Sequence, residues 1–168
     1  RPHILVARAV FPQVLERLCQ HFEVQANPTD TIYTPTQLIQ HLQGKAGAFT
    51  TGSERIDAAL LAACPQLRVV ANMAVGYNNF DIPACTAAGV LATNTPDVLT
   101  ETTADFGFAL MMAAARRLTE SEHFLRRGEW DRWAYDMFTS SDVHGATLGI
   151  LGMGRIGQAI ARRGALGF

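Results

Sequence analysis

The sequence has no surplus of charge of either sign. Its 14 Lys and Arg residues against 15 Asp and Glu leave a formal net charge of -1. That excludes a basic field for nucleic acid and a polybasic patch for an anionic membrane surface. Cysteine is scarce as well. Cys19, Cys64 and Cys85 are odd in number, widely spaced and without a Cys-x-x-Cys pair, which argues against a disulfide framework or a zinc knuckle and for reduced, mostly buried thiols. No apolar run reaches the roughly 20 residues of a membrane span. Arg1-Pro2-His3 and the short run after it lack the roughly 7–15-residue apolar core of a secretory signal. The expectation is a cytoplasmic protein whose partners are small molecules or copies of itself, with no nucleic acid, membrane or metal among them.

Apolar residues make up 48% of the chain and charged residues 17%, as in an ordinary globular interior. At 168 residues there is room for one full domain and part of another, at about 100–200 residues per domain. The first part alternates regularly. Strand patterns at His3 to Arg8, Phe22 to Ala26, Ala46 to Thr50, Leu67 to Ala71 and Val90 to Ala92 are separated by helical patterns. The helices are expected at Pro12 to Phe22, from the Thr34-Pro35-Thr36-Gln37 capping box to Gly44, at Ile56 to Cys64, and from Asp81 to Gly89, on apolar spacing and capping signals. Strands recurring with a helix between each pair predict an α/β fold, a parallel sheet with helices on both faces, and fold-level analogy points to the flavodoxin-like order 2-1-3-4-5. Ligands of such sheets bind beyond the carboxyl ends of the strands, which directs attention to Ala9 to Phe11, Thr51 to Ser53, Asn72 to Asn79 and Asn94 to Val98. In the third of these loops, a glycine among small and amide residues suits a backbone N–H nest for a carboxylate. The same residues would also serve if Gly76 and Asn78 merely supplied positive φ for a long turn. Asn94-Thr95-Pro96-Asp97 reads as the crossing into a second domain, which divides the chain at 1–98 and 99–168.

Beyond that crossing, Thr100 to Arg117 is the longest helical pattern, with Thr100 as its cap and an apolar middle from Phe106 to Ala115. A helix apolar nearly all round must be covered on several sides, by a neighbouring domain, a second subunit or its own core. Thr119 to Gly128 is a shorter helix with a second capping-box pattern, and Trp130, Trp133, Tyr135 and Phe138 crowd the loop that follows, as at an interface or pocket rim. The apolar run from Thr147 to Leu151 is then read as a strand leading into Gly152-Met153-Gly154-Arg155-Ile156-Gly157 and a helix. In the dinucleotide fingerprint the first glycine permits the tight turn, the second lets the pyrophosphate approach, and the third lets helix pack on strand. A plain tight βα turn would use the same triplet. The acidic residue that grips the ribose is expected about 20 residues further on, whereas Phe168 is eleven residues past Gly157. The chain is therefore expected to be the front part of a longer protein, and inactive as it stands.

Val75-Gly76-Tyr77-Asn78-Asn79-Phe80-Asp81, Asn94-Thr95-Pro96, Thr100 to Asp105 and the glycine triplet, in that order, resemble the D-isomer-specific 2-hydroxyacid dehydrogenase family, within it the glyoxylate/hydroxypyruvate reductase and 2-ketogluconate reductase branch. The resemblance spans the chain and about the first half of a family member. It implies a flavodoxin-like substrate domain followed by the start of a Rossmann dinucleotide-binding domain. It also implies reduction of a small 2-keto acid by NADPH or NADH to the D-2-hydroxy acid, in a homodimer. By the same resemblance, Val75 and Gly76 would offer N–H groups to the substrate carboxylate, and Thr103 would lie near the nicotinamide. Gly152, Gly154, Arg155, Ile156 and Gly157 would hold the pyrophosphate, the helix at Thr100 would pack at the dimer interface, and the aromatic loop would approach the partner's active site. The family's catalytic Arg, and its His paired with a carboxylate, lie downstream of the glycine motif. No catalytic residue is therefore expected here, and His3, His21, His41, His123 and His144 are left as surface or core histidines. A dinucleotide-sensing corepressor of the same family is the alternative. A phosphoacceptor receiver domain is disfavoured by Ala7-Arg8-Ala9-Val10, where acidic residues would be needed.

Overall fold

A computed structural model describes residues 1–167; Phe168, the last residue of the expected second domain, lies outside them. The chain divides into two compact units, Arg1–Val98 and Leu99–Phe168.

In the first unit β1 (His3–Val6), β2 (Glu23–Ala26), β3 (Gly47–Thr50), β4 (Val69–Asn72) and β5 (Leu91–Thr93) form one sheet in the order β2-β1-β3-β4-β5. Every pairing is parallel, so the expected flavodoxin-like order is present. Helices α1 (Pro12–Cys19), α2 (Pro35–Leu42), α3 (Ala58–Ala63) and α4 (Ile82–Ala88) connect the strands. Leu5, Val6, Ile56 and Val70 are fully buried, with Leu42, Leu60 and Leu67 beside them. At about 25 cal/mol per Å² of apolar surface removed from water, this interior is the main stabilising term of the unit. Cys64 and Cys85 are buried, Cys19 is exposed, and all three are free thiols.

Local chemistry explains where the sequence reading was displaced. The Thr34 capping box forms as expected: the Thr34 side chain accepts from the Gln37 amide, and Gln37 reaches back to the Thr34 N–H. Helix α3 starts two residues later than Ile56, because Asp57 caps it through the Leu60 amide. Ile56 instead bridges to Phe80, donating to Asn79 O at 2.8 Å and accepting from Asp81 N at 2.9 Å. Strand β4 begins at Val69 rather than Leu67, since Leu67 N is taken by Cys64 O.

The second unit holds α5 (Thr100–Ala115), α6 (Leu118–Arg126) and α7 (Arg155–Gly167). Thr100 is the first residue of α5 and not its cap, which is Leu99 with no side-chain bond. The expected capping box at Thr119 is also absent. Glu120 pairs with the Arg117 guanidinium at 2.7 Å, and Arg117, in the left-handed region at φ 51°, starts α6 one residue early. Glu122, three residues after Thr119 and so the box's return partner, pairs with Arg126 instead, a charge-assisted bond stronger than a neutral amide contact. Among the described residues of apolar α5 only Ala104 is buried, while Phe106 and Leu110 are 65% and 53% exposed. Residues 147–151 form no strand, and the chain bends at Leu151. A parallel strand exists only by its ladder bonds, and among the described residues all five strands belong to the first unit. Their alternation survives, with Leu148 and Ile150 half-buried between exposed neighbours.

One ion pair joins three loops at the carboxyl ends of the strands. Arg8 grips Asp30 with two bonds of 2.9 Å, Ala9 N donates to the same carboxylate at 2.8 Å, and Arg8 also donates to Ser53 Oγ at 2.9 Å. The hydrogen bond from Arg8, then that from Ala9 N, holds the Asp30 carboxyl down at about 2, against 3.8 ordinarily. A depressed folded-state pKa contributes stability above the unfolded value that is lost as pH falls. Acid titration of unfolding should therefore show a loss of stability between about pH 4 and pH 2 that Asp30→Asn removes; an unchanged acid limb in the variant would contradict the role.

Candidate functional site

The loop between β4 and α4 is held from below by asparagine side chains. Asn72, the last residue of β4, is buried, accepts from Thr50 Oγ1 at 3.0 Å, and donates to Gly76 O at 2.9 Å. Asn79 donates to Thr51 O at 2.9 Å and Glu54 O at 2.8 Å, which ties this loop to the one after β3. Beyond β5, Asn94 donates to Val75 O at 2.8 Å and Thr95 N donates to Ala74 O at 3.0 Å. Three successive carbonyls, of residues 74, 75 and 76, are thus each bound from the protein side.

A trans peptide is planar, with its N–H directed opposite its C=O. Fixing the carbonyls of Ala74, Val75 and Gly76 therefore fixes the N–H groups of Val75, Gly76 and Tyr77 pointing the other way. Among the described residues, none of those three amides donates a backbone hydrogen bond. Gly76 is exposed, its φ is not in the left-handed region, and a Cβ added there would meet nothing within 4 Å. The turn reading, in which Gly76 and Asn78 supply positive φ, is thereby excluded. The fold itself does not demand a glycine at 76. Open space above an aimed amide is what an anion needs, and consecutive N–H groups form such a concavity.

The second site lies at the start of α7, and its three glycines have three different reasons. Gly152 turns the chain at φ 94°, a conformation that a side chain disfavours. A Cβ on Gly157 would drive into the Gly152 carbonyl oxygen, with the carbonyl carbon only 3.1 Å away. Gly154 has neither reason: its φ is ordinary and nothing lies within 4 Å of its Cβ direction. The fold leaves that space open above the helix start, where the first-turn amides have no intrahelical acceptor and the helix dipole favours an anion. The residues therefore fit a pyrophosphate. Arg155 is exposed and Ile156 half-buried in the first turn of α7. Thr103 is exposed in the first turn of α5, its N–H going to Leu99 O at 2.9 Å. Helix α7 is anchored on α5: Arg163 donates to Asp105 at 2.7 Å, Arg162 to Glu101 at 2.8 Å, and Gly107 leaves room for Ile160. Salt bridges this exposed contribute little each, so close apolar approach at Gly107 matters more.

The sequence reading named Val75 and Gly76 but not Asn72, Asn79 and Asn94, whose bonds hold the loop that carries them. The available signal was that the loops after β4 and β5 both begin with asparagine. No group of three or more His, Cys, Asp or Glu suited to a metal occurs among the described residues. No described helix is long and apolar enough to cross a membrane.

Comparison with known proteins places these features in context. Residues 4–152 match the family model described as D-isomer specific 2-hydroxyacid dehydrogenase, catalytic domain. The glyoxylate reductase of Thermococcus kodakarensis is 46% identical over 172 residues, covering 100% of this chain and 51% of that protein. The chain thus spans about half the length of the curated relatives it matches. A crystal structure from Thermus thermophilus superposes with a TM-score of 0.89 at 36% identity, over 98% of this chain and 53% of the other. The NADPH-dependent glyoxylate/hydroxypyruvate reductase of Sinorhizobium meliloti, solved with NADP and malonate, gives a TM-score of 0.78 at 38% identity, over 97% of this chain and 50% of that one.

The glycine analysis makes opposite demands on two alanine variants of the full-length protein. Gly157→Ala should cost about 1–3 kcal/mol in thermal or denaturant unfolding, because backbone occupies the space. Gly154→Ala, at the α7 N-cap, should cost no more than about 1 kcal/mol, while dinucleotide affinity falls at least about tenfold. Equal effects of the two on stability would contradict the assignment.

Proposed function

The chain belongs to the D-isomer specific 2-hydroxyacid dehydrogenase family, and from that premise we propose that it carries the substrate cradle and dinucleotide loop of an NAD(P)H-dependent reductase of small 2-keto acids. Residues 1–98 hold the acid and residues 99–168 begin the dinucleotide-binding domain. The observation that carries this reading is Gly154, which has no positive φ and no neighbour within 4 Å of its Cβ direction among the described residues, leaving room for a diphosphate against the α7 amides. The named activities of the relatives, glyoxylate and hydroxypyruvate reduction, support the substrate class.

In this reading Val75 and Gly76 donate their N–H groups to the substrate carboxylate and so hold the adjacent carbonyl in one orientation. Charge-assisted bonds of this type contribute about 1.5–3 kcal/mol each. Gly152, Gly154, Arg155, Ile156 and Gly157 seat the pyrophosphate, with Thr103 near the nicotinamide. When bound, the reduced nicotinamide supplies the hydride. By the family resemblance, the keto-acid Arg and the proton-donating His with its carboxylate belong to sequence downstream of Gly157, so this stretch contributes binding and orientation and no proton donor. The enzyme works in the cytoplasm as a homodimer, in which a second copy covers the apolar α5 face at Phe106 and Leu110. The Trp133 to Phe138 loop, whose Trp133 and Tyr135 are 78% and 85% exposed, approaches the partner's site.

Oxidation of NADPH or NADH by the full-length protein should be observed with glyoxylate, hydroxypyruvate or 2-ketogluconate, and chiral analysis of the product from a prochiral acid should show the D-isomer. Absence of turnover with all three acids and both cofactors would contradict the proposal.

A further inference from the structure

We infer that Asn94, together with Asn72, is a positioning residue that aims the carboxylate cradle, an inference that rests on the proposed binding role of Val75 and Gly76. A backbone N–H has no rotor of its own, and its direction is set by the peptide plane it shares with the preceding carbonyl. The plane carrying the Gly76 N–H is the one whose oxygen, Val75 O, accepts from Asn94 Nδ2 at 2.8 Å. The plane carrying the Tyr77 N–H is held through Gly76 O by Asn72 Nδ2 at 2.9 Å. The plane carrying the Val75 N–H is held by Thr95 N through Ala74 O at 3.0 Å.

The two asparagines come from different places in the chain and are fixed by different means. Asn72 ends β4, is 2% exposed, and is locked by Thr50 and Asn79. Asn94 follows β5, is half-buried, and reaches across from the neighbouring strand end. Without a donor at 94, the 75–76 plane could rotate with only backbone torsions to resist it. The amide would then spend part of its time turned from the anion, and affinity falls with the fraction of cradle that is competent. Nothing in this role touches the substrate directly; Asn94 acts through a peptide bond. The loss is therefore confined to acid binding, leaving dinucleotide binding and the fold intact.

The test is Asn94→Leu in the full-length protein, a change of similar volume that deletes the donor, with Asn94→Ala as a second variant. Gln43→Ala serves as a control that removes another side-chain bond to a backbone carbonyl, Ala63 O at 2.9 Å, far from the cradle in sequence. Two quantities are read: KM for the 2-keto acid against KM for the cofactor, and the Kd of oxalate measured by calorimetry without turnover. The expected result for both Asn94 variants is a rise of about tenfold or more in keto-acid KM and in oxalate Kd, with cofactor KM unchanged and the control like wild type. Wild-type oxalate affinity in Asn94→Leu would overturn the inference, and so would a parallel loss of cofactor affinity and thermal stability. If wild type reduces no 2-keto acid yet binds oxalate, and the variants lose that binding, the proposed activity fails while the positioning role stands.

Discussion

In the proposed reading both candidate sites meet their anions with backbone N–H groups, and such a group can be aimed only by holding the carbonyl on the other side of its peptide plane. Everything distinctive in the structure serves that constraint. At the cradle, one backbone amide and two asparagine side chains bind three successive carbonyls from the protein side. At the glycine loop, the α-helix itself does the holding, since its carbonyls are turned along the axis and its first amides are left facing out. Backbone donors carry no charge to be desolvated, so they can wait for an anion without a counter-ion.

The parallel sheet explains why the cradle falls where it does. All five strands run the same way, so the loops after β1, β3, β4 and β5 emerge at one edge. Cross-links between those loops then become possible: Arg8 joins Asp30 and Ser53, Asn79 joins Thr51 and Glu54, and Asn94 joins Val75. Loops of this length would otherwise be the mobile part of the unit. Here each is braced by its neighbour, which is the preorganisation that the proposed small-acid ligand requires.

Much of this was legible in the sequence, and the reasons for the remainder are physical. The parallel sheet followed from β–α alternation and its order from fold-level analogy, and the Thr34 and Asp81 helix starts followed from capping chemistry. The glycine triplet carried its own spacing. What periodicity could not show was competition for a partner. Asp57 took the cap that moved α3 off Ile56, and Arg126 took the Glu122 that would have completed a capping box with Thr119. The run 147–151 kept a strand's alternation without strand partners among the described residues. The Asn94 clamp had no periodicity to mark it, because its bond joins residues 19 apart, and only the asparagine at each loop start hinted at the pair.

The most direct measurement is a crystal structure of the full-length protein grown with NADP and oxalate. The account predicts one oxalate carboxylate within hydrogen-bond distance of the Val75 and Gly76 amides, and the cofactor diphosphate in the space above Gly154 at the start of α7. Oxalate seated elsewhere, with those two amides facing water, or a diphosphate held away from Gly154, would contradict it.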